Sequence, residues 1–317
     1  MLVTGASGFV GRRVCALLAG TGHEVIAATR STSSPVDGAA RTLALGEIGP
    51  ATRWQPALEG CAALVHLAAR THQGDDAAMR EDFFRINVDG TRGLVDAALA
   101  AGVRRVVFVS SAKVYGESSP LDADGRPHVF TATDIPRPAG PYGASKLAAE
   151  QLLRERCATA QAALTILRPP LVYGPGNKAN LFALMRAIER GVPLPLASIC
   201  NARSLVFVEH LADAIGAALA RAEGTHLYPV ADVELSTPAL IDSLALGMQC
   251  RARTFACPVG LLTALGRMTG RTAAIERLTG SFVLEHAQVA HEPGWRPRYT
   301  LAEAMRLTGD WYRSARG

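Results

Sequence analysis

Tyr142 and Lys146 stand four positions apart in the string Tyr142-Gly143-Ala144-Ser145-Lys146, a spacing that stacks two side chains on one face of a helix. A phenol held beside a fixed ammonium is a candidate proton-transfer group. A free tyrosine titrates near ~10 and each tenfold gain in acidity is worth ~1.4 kcal/mol, so bringing it to neutrality needs roughly 4 kcal/mol of preference for phenolate. One cation about 4 Å away, at an effective dielectric near ~20, supplies about that much. On its own the pair is weak, because a half-buried Tyr beside a solvated Lys is common on amphipathic helices. Its weight comes from the start of the chain. There Met1-Leu2-Val3-Thr4 reads as a strand, Gly5-Ala6-Ser7-Gly8-Phe9-Val10-Gly11 follows, and a helical run continues through Leu18. Three glycines at this spacing, between a strand and a helix, let backbone approach a pyrophosphate at the helix N-terminus. A dinucleotide is the expected occupant.

These residues need a scaffold that brings them to one edge. Apolar runs at Val25 to Ala28, Leu43 to Leu45, Ala63 to Leu67, Arg105 to Val109 and Leu164 to Leu167 alternate with helical segments. The clearest helices are Arg12 to Ala19, Phe83 to Ala101 and Tyr142 to Cys157. Such alternation implies parallel strands with right-handed crossovers, covered on both faces, and ligand at their carboxyl ends. Gly5, Arg30, Glu47, Ala68 and Ser111 all fall at those ends. The expectation is an α/β protein: a Rossmann-like doubly wound parallel sheet over 1–169, and a smaller C-terminal α/β substrate lobe within 170–317. A strand near 225–230 returns to the first sheet, leaving the lobe to 170–203 and 233–295. Helices in this half are expected over Phe182 to Arg190, Leu211 to Arg221, Pro238 to Leu246 and Leu301 to Trp311. The first strand is short against a typical ~5 residues, so either it is short in the fold or the chain begins upstream of Met1.

Bulk properties exclude several classes. With 317 residues, 49% hydrophobic and 19% charged, the chain can bury a large core. No apolar stretch reaches the ~18 residues of a membrane span, and the N-terminus enters the glycine turn without a basic region or cleavage site. A cytoplasmic protein that does not enter the membrane is expected. The net charge of +5 is scattered, so nucleic acid is not an expected partner. Six cysteines lack a C-x-x-C pair and eight histidines lack H-x-x-x-H spacing, so no metal site is expected.

With both motifs in view, the chain resembles the extended short-chain dehydrogenase/reductases, in particular nucleotide-sugar 4-epimerases and 4-ketoreductases of bacterial polysaccharide synthesis. The glycine pattern is that family's G-x-x-G-x-x-G. The resemblance implies a catalytic Ser, Tyr and Lys: Ser111, at the end of Val107-Phe108-Val109-Ser110, with Tyr142 and Lys146. It further implies a cofactor-binding set of Gly5, Gly8, Phe9, Val10, Gly11, Arg30, Glu47, Ile48, Leu67, Ala68, Ala69, Asn87, Tyr142 and Lys146. Within that set, Leu67-Ala68-Ala69 belong to a strand end, Asn87 to an N-x-x-G-T element, and Glu47-Ile48 to an acidic-aliphatic pair beside adenine. Arg168-Pro169-Pro170-Leu171-Val172-Tyr173-Gly174-Pro175 resembles R-x-x-N-V-Y-G-P, with Leu171 in the place of Asn. Asn180 and Arg203 match residues that hold the substrate's pyrophosphate, and Lys113 is a candidate for phosphate or sugar against the plainer reading of a solvated lysine. Gly294-Trp295-Arg296-Pro297 and Trp311-Tyr312 resemble the closing segment and last helix.

Dehydratases of this family carry Asp-Glu where this chain has Ala112-Lys113, so loss of water is not expected. The implied chemistry is hydride transfer at C4 of a UDP-hexose or UDP-N-acetylhexosamine. Tyr142 exchanges the proton, Lys146 lowers its pKa and holds the nicotinamide ribose, and Ser111 bonds the same oxygen. Epimerisation is the first reading and reduction of a UDP-4-keto-6-deoxy-N-acetylhexosamine the alternative. A catalytically silent NAD(P)-sensing protein is the reading from another class. The cofactor is NAD or NADP, and Arg30, with no carboxylate at the second strand's end, favours NADP. A homodimer through the helices at Phe83 and Tyr142 is also implied.

Overall fold

Period-two alternation along a set of short strands assigns successive side chains to opposite faces of one sheet. Leu2, Ile26, Leu64, Val106 and Leu164 enter one hydrophobic cluster, while Val3, Ala27, Val65, Val107 and Leu167 enter another. Strands buried on both faces in this way need helices on both sides. The computed structural model describes residues 1–31, 35–71, 77–178, 180–270, 272–285 and 297–315. In chain order its first half comprises β1 (Leu2–Thr4), α1 (Phe9–Gly20), β2 (Ile26–Thr29), β3 (Arg41–Ala44), α2 (Gln55–Leu58), β4 (Ala63–His66) and α3 (Ala77–Phe84). There follow α4 (Gly90–Ala100), β5 (Arg105–Val109), β6 (Val129–Phe130), α5 (Pro141–Thr159) and β7 (Ala163–Arg168).

The second half comprises β8 (Leu171–Tyr173), α6 (Asn180–Glu189), β9 (Arg203–Phe207), α7 (Val208–Leu219), β10 (Thr225–Pro229) and β11 (Val233–Leu235). It ends with α8 (Thr237–Gly247), α9 (Val259–Met268), α10 (Thr272–Thr279), β12 (Val283–Leu284) and α11 (Leu301–Ser314). The seven-stranded sheet runs β10-β7-β5-β4-β1-β2-β3, parallel at every pairing. This is the expected Rossmann-like α/β architecture. Its order reverses beside β1, where β4 lies on one side and β2 on the other, and that switch point is where ligands bind in such sheets. Helices α1 and α7 cover one face; α2, α4 and α5 cover the other.

The strand expected near 225–230 is β10, paired with β7 from Thr225 to Pro229. β1 is three residues long and is paired on both sides throughout. The second half gathers a smaller sheet, β11-β9-β8, and a third core cluster in which Leu181, Met185, Leu205, Phe207, Ile241, Leu244 and Tyr312 meet. One expectation needs correction. The single helix foreseen over Phe83 to Ala101 is interrupted by a π-helical turn, Arg85–Asp89, between α3 and α4. Its cause is Asn87, whose amide is committed to groups outside the helix, as described below. The helices α9 and α10 were not foreseen. Residues 294–296 of the closing motif and 32–34, which follow β2, lie outside the described residues. No helix among the described residues is long and apolar enough to cross a membrane.

Candidate active site

The glycine turn is fixed by contact rather than by flexibility alone. Gly5 has φ +66°, and a Cβ there would lie 2.9 Å from the Ala68 nitrogen; a Cβ on Gly11 would lie 2.7 Å from Ala6 Cα. Bare backbone is therefore pressed between β1, the end of β4 and α1. Gly8 caps α1 with no side-chain acceptor, which leaves the first-turn N–H groups for an anion. Phe9 and Val10, at the start of α1, pack against the third core cluster. The residues present thus fit a dinucleotide pyrophosphate: a cradle that any side chain would fill, at a helix N-terminus.

Next to it lies a buried hydroxyl–imidazole chain. His66, at the end of β4, is 2% exposed, with Nδ1 2.7 Å from Thr4 Oγ1 and Nε2 2.9 Å from Thr91 Oγ1. Thr91 spends its proton on the Asn87 carbonyl at 2.7 Å, so it accepts from His66 Nε2–H. Thr4 then donates to the bare Nδ1, and its oxygen accepts from Ala68 N at 3.2 Å. The imidazole is neutral: burial, with the Lys146 charge adding to it, lowers its pKa to about 3. This chain orients Leu67, Ala68 and Ala69, all half-buried. Asn87, buried in the π turn, accepts from Arg70 N at 2.8 Å and donates to Arg70 O at 3.2 Å and Ser145 Oγ at 2.9 Å. It ties the segment after β4 to α5.

Towards β3 the charges are solvent-facing. Arg30 is exposed just past β2, and Glu47 is exposed past β3. Glu47 meets Arg85 at 3.6 Å and Arg70 at 3.9 Å, and both arginines also reach Asp82, at 2.9 and 3.4 Å. Ile48 is half-buried, close enough that a Cβ on Gly90 would lie 2.8 Å from its Cγ2.

Towards β5 the structure brings Ser111, Tyr142 and Lys146 together. Ser111 caps the 3₁₀ turn Ala112–Tyr115, accepting from Lys113 N at 3.2 Å, and its hydroxyl lies near enough to the Tyr142 phenol to favour the phenolate. Tyr142 lies at the start of α5, its ring 6.0 Å from that of Phe83. A Cβ on Gly143 would lie 2.5 Å from the Lys113 carbonyl oxygen, so this glycine lets α5 approach the serine's turn. Lys146 is 2% exposed; its ammonium donates to the Val109 carbonyl at 2.7 Å and lies 4.0 Å from the centre of the Phe108 ring.

The expected electrostatics differ in one respect. Burial pushes the Tyr142 phenol up, and the nearby Ser111 hydroxyl is what opposes it. Burial also lowers Lys146 to about 7, with Glu150 working the other way. The reason is desolvation, which acts on both groups, and a lysine tethered to β5 rather than simply stacked on the phenol.

Beneath them is a group that motif reading missed. Glu150, 1% exposed, accepts from Ser110 Oγ at 2.5 Å, Arg168 Nε at 3.0 Å and Arg168 Nη2 at 2.5 Å. Arg168 also lies over the Tyr115 ring at 4.8 Å. Burial works against the guanidinium's charge, but the bonds to Glu150 win and its pKa is raised. The signal was present: Glu150 follows Lys146 by four and Tyr142 by eight, on the same helical face.

Of the substrate candidates, Lys113 is ion-paired with Glu117, and the charge of Glu117 also reaches Arg203. The two predicted cations are thereby joined. Arg203 donates to the carbonyls of Arg277 at 2.6 Å and Gly280 at 3.0 Å, anchoring α10 to β9. Asn180 is exposed at the start of α6. Asn177 was not foreseen: it is buried, donates to the Val172 carbonyl at 2.9 Å, and its Oδ1 has no partner among the described residues. Leu171, in the place of the expected Asn, is 43% exposed. Among the described residues no group of His, Cys, Asp and Glu is arranged to hold a metal ion.

The family model described as the NAD dependent epimerase/dehydratase family matches residues 1–231. The chain belongs to that family. It is an enzyme of the extended short-chain dehydrogenase/reductase type, and its chemistry is of the nucleotide-sugar epimerase/dehydratase kind. A UDP-glucose 4-epimerase of Vibrio cholerae is 32% identical to this family member over 99% of this chain and 96% of the relative. An N-acetyl-alpha-D-glucosaminyl-diphospho-ditrans,octacis-undecaprenol 4-epimerase of Escherichia coli O157:H7 is 27% identical over 97% and 93%. Among solved structures, MoeE5 in complex with UDP-glucuronic acid and NAD superposes with a TM-score of 0.80, at 27% identity over 99% of both chains. The dTDP-glucose 4,6-dehydratase DesIV of Streptomyces venezuelae, with NAD bound, gives 0.74 at 27% identity over 100% of this chain and 97% of its own. Both structures hold NAD; the preference for NADP read from Arg30 finds no support in them.

Proposed function

We propose that the protein is an NAD-dependent 4-epimerase of a diphosphate-linked hexose, with a UDP-hexose or UDP-N-acetylhexosamine as its first substrate class. The observation that carries this reading is the convergence of Ser111, Tyr142 and Lys146 at the carboxyl edge of the sheet, beside a glycine cradle that fits a dinucleotide. The two 4-epimerase relatives act on sugars attached through a diphosphate, one on a nucleotide and one on undecaprenol, and both align over nearly the whole chain.

Gly5, Gly8 and Gly11 would hold the cofactor's pyrophosphate, and Tyr142 and Lys146 its reactive end. When bound, NAD would take up and return the hydride at C4. The protein's own part is proton transfer and orientation. Tyr142 takes the proton from the C4 hydroxyl as charge develops there and gives it back after the ketone turns over. Ser111, whose hydroxyl is near the phenol, would donate to the same oxygen. Lys146, one helical turn after Tyr142 and held by the Val109 carbonyl, would supply the positive charge at this end of the site when protonated. Lys113 and Arg203, joined through Glu117, are the cations for the sugar's diphosphate, with Asn180 a further donor. The absence of Asp-Glu after Ser111 speaks against dehydration, because Ala112 offers no acid or base and Lys113 is ion-paired.

The test incubates the purified protein with UDP-glucose, UDP-N-acetylglucosamine and a UDP-4-keto-6-deoxy sugar, with and without added NADH or NADPH. C4 inversion without added cofactor is expected, with NAD released on denaturation. Stoichiometric consumption of reduced cofactor would replace the reading with a 4-ketoreductase. Retained NAD without turnover of any sugar would replace it with a cofactor-sensing protein.

A further inference from the structure

Helix α9 touches the rest of the substrate lobe along one side. Leu262 and Gly266 are its buried residues, with Leu262 in the lobe's core cluster and Ile275 of α10 packed against it. Its other side is apolar and open. Leu261, Leu265 and Met268, at i, i+4 and i+7, are 62%, 55% and 84% exposed, and Val259 at the helix start is 39% exposed. A single exposed leucine is ordinary, but long apolar side chains aligned over two turns form a ridge that water covers at a cost.

Charge says what could cover it. From Ser243 to Ile275 the chain contains Arg251, Arg253, Arg267 and Arg271 and no Asp or Glu, although the whole protein carries 28 acidic residues. Arg251 and Arg253 are exposed in the approach to α9, as is Phe255, and Arg267 is exposed on the helix itself, next to Met268 of the ridge. An apolar ridge with Arg267 on the same helix, and with Arg251 and Arg253 exposed on the segment leading into it, matches a surface that is apolar beneath and anionic at its border. A second copy fits poorly, because two such faces would set arginine against arginine with no carboxylate from this stretch between them.

We propose that the α9 ridge docks the protein on an anionic lipid bilayer, with Leu261, Leu265 and Met268 entering the headgroup boundary and the arginines pairing with lipid phosphates. Docking would hold the substrate lobe against the surface at which lipid-linked diphosphate sugars are presented, the second carrier considered above. The binding itself does not depend on that reading.

Co-sedimentation with vesicles tests it, comparing phosphatidylcholine alone with phosphatidylcholine containing phosphatidylglycerol at physiological salt. Binding to the anionic vesicles should exceed that to the neutral ones by about tenfold or more, and the double variant Leu265→Glu/Met268→Glu should lose it by a similar factor. Both substituted positions are exposed, so the variant should keep the wild-type melting temperature and UDP-sugar turnover. Should no sugar turn over, the melting temperature and NAD retention still certify its fold, and the vesicle result stands apart from the reaction. Absence of binding to anionic vesicles overturns the proposal, as does binding that the double variant retains. Splitting of a wild-type dimer by the same variant, without vesicle binding, would identify the ridge as an interface between copies and overturn it equally.

Discussion

At one end of the sheet's carboxyl edge Glu150 is 1% exposed and holds Ser110 and the Arg168 guanidinium at 2.5 to 3.0 Å. At the other end Glu47 is exposed and meets Arg85 and Arg70 at 3.6 and 3.9 Å. Both are carboxylates between cations, but their environments give them opposite uses. A buried ion pair must recover several kcal/mol of lost hydration per ion through close geometry, so it persists only where short bonds hold both partners in place. An exposed pair is screened, contributes about 0–1 kcal/mol, and can exchange partners at little cost. The reaction end of the site therefore rests on a fixed charge cluster, and the other end on an adjustable one. Lys146 falls between these cases: it faces Glu150 without a direct bond, and its pKa of about 7 leaves it titratable in the physiological range.

The largest effect expected at the rigid end is chemical. Tyr142→Phe should lower turnover by roughly 10²–10⁴-fold while NAD still binds and the melting temperature holds. A variant that kept normal turnover would separate the buried cluster from the chemistry altogether. Glu150→Gln should be the most destabilising of these changes, because it leaves Arg168 charged and buried at 3% exposure; about 3–5 kcal/mol is expected in urea unfolding. The double variant Glu150→Gln/Arg168→Met should recover part of that loss, which a merely disruptive substitution would not. In the folded Glu150→Gln protein the alkaline limb of the pH–rate profile should move to lower pH, since Glu150 is what opposes the lowering of Lys146.

Acid stability gives a smaller and signed effect. His66 titrates near 6.5 when unfolded and at about 3 when folded, so the unfolded chain binds more protons between these values. The stability this burial confers is present above pH 6.5 and is lost as pH falls towards 3. Urea midpoints measured from pH 7.5 to 4.5 should fall below 6.5, and less steeply in His66→Gln. Equal slopes would show that the imidazole is not the group responsible.

How much of this was readable follows from the range of the interactions. The glycine turn and the Tyr-Lys pair are local patterns, and the parallel strands announce themselves by apolar runs, so the sheet and the elements that carry both patterns were legible. What Lys146 does there was not, because its state is set by Val109, Phe108, His66 and Glu150, contributed by β5, β4 and α5. The π turn at 85–89 arises from Asn87 bonding Arg70 and Ser145, partners 17 and 58 residues away, while the sequence there reads as uninterrupted helix. Helix α9 went unseen for a different reason. Its apolar residues lie on both its buried and its open side, so it lacks the one-sided periodicity by which a helix is found.

The smallest effect is expected at the exposed end, and it is the one that most sharpens the contrast. Glu47→Gln removes one carboxylate from a set in which Arg70 and Arg85 also reach Asp82, at 3.4 and 2.9 Å. Both arginines retain a counter-charge, and water reaches all four side chains. The melting temperature should therefore be unchanged, and raising the salt concentration should affect wild type and variant alike. If Glu47 also touches the adenine end of the cofactor, as its place past β3 implies, the variant's NAD affinity should change by only a few-fold, because the neutral amide keeps one acceptor. Isothermal titration of the NAD-free protein reads that difference directly. A loss of stability on the scale of Glu150→Gln would mean that the Glu47 cluster is as rigid as the buried one, and the distinction between the two ends would fail.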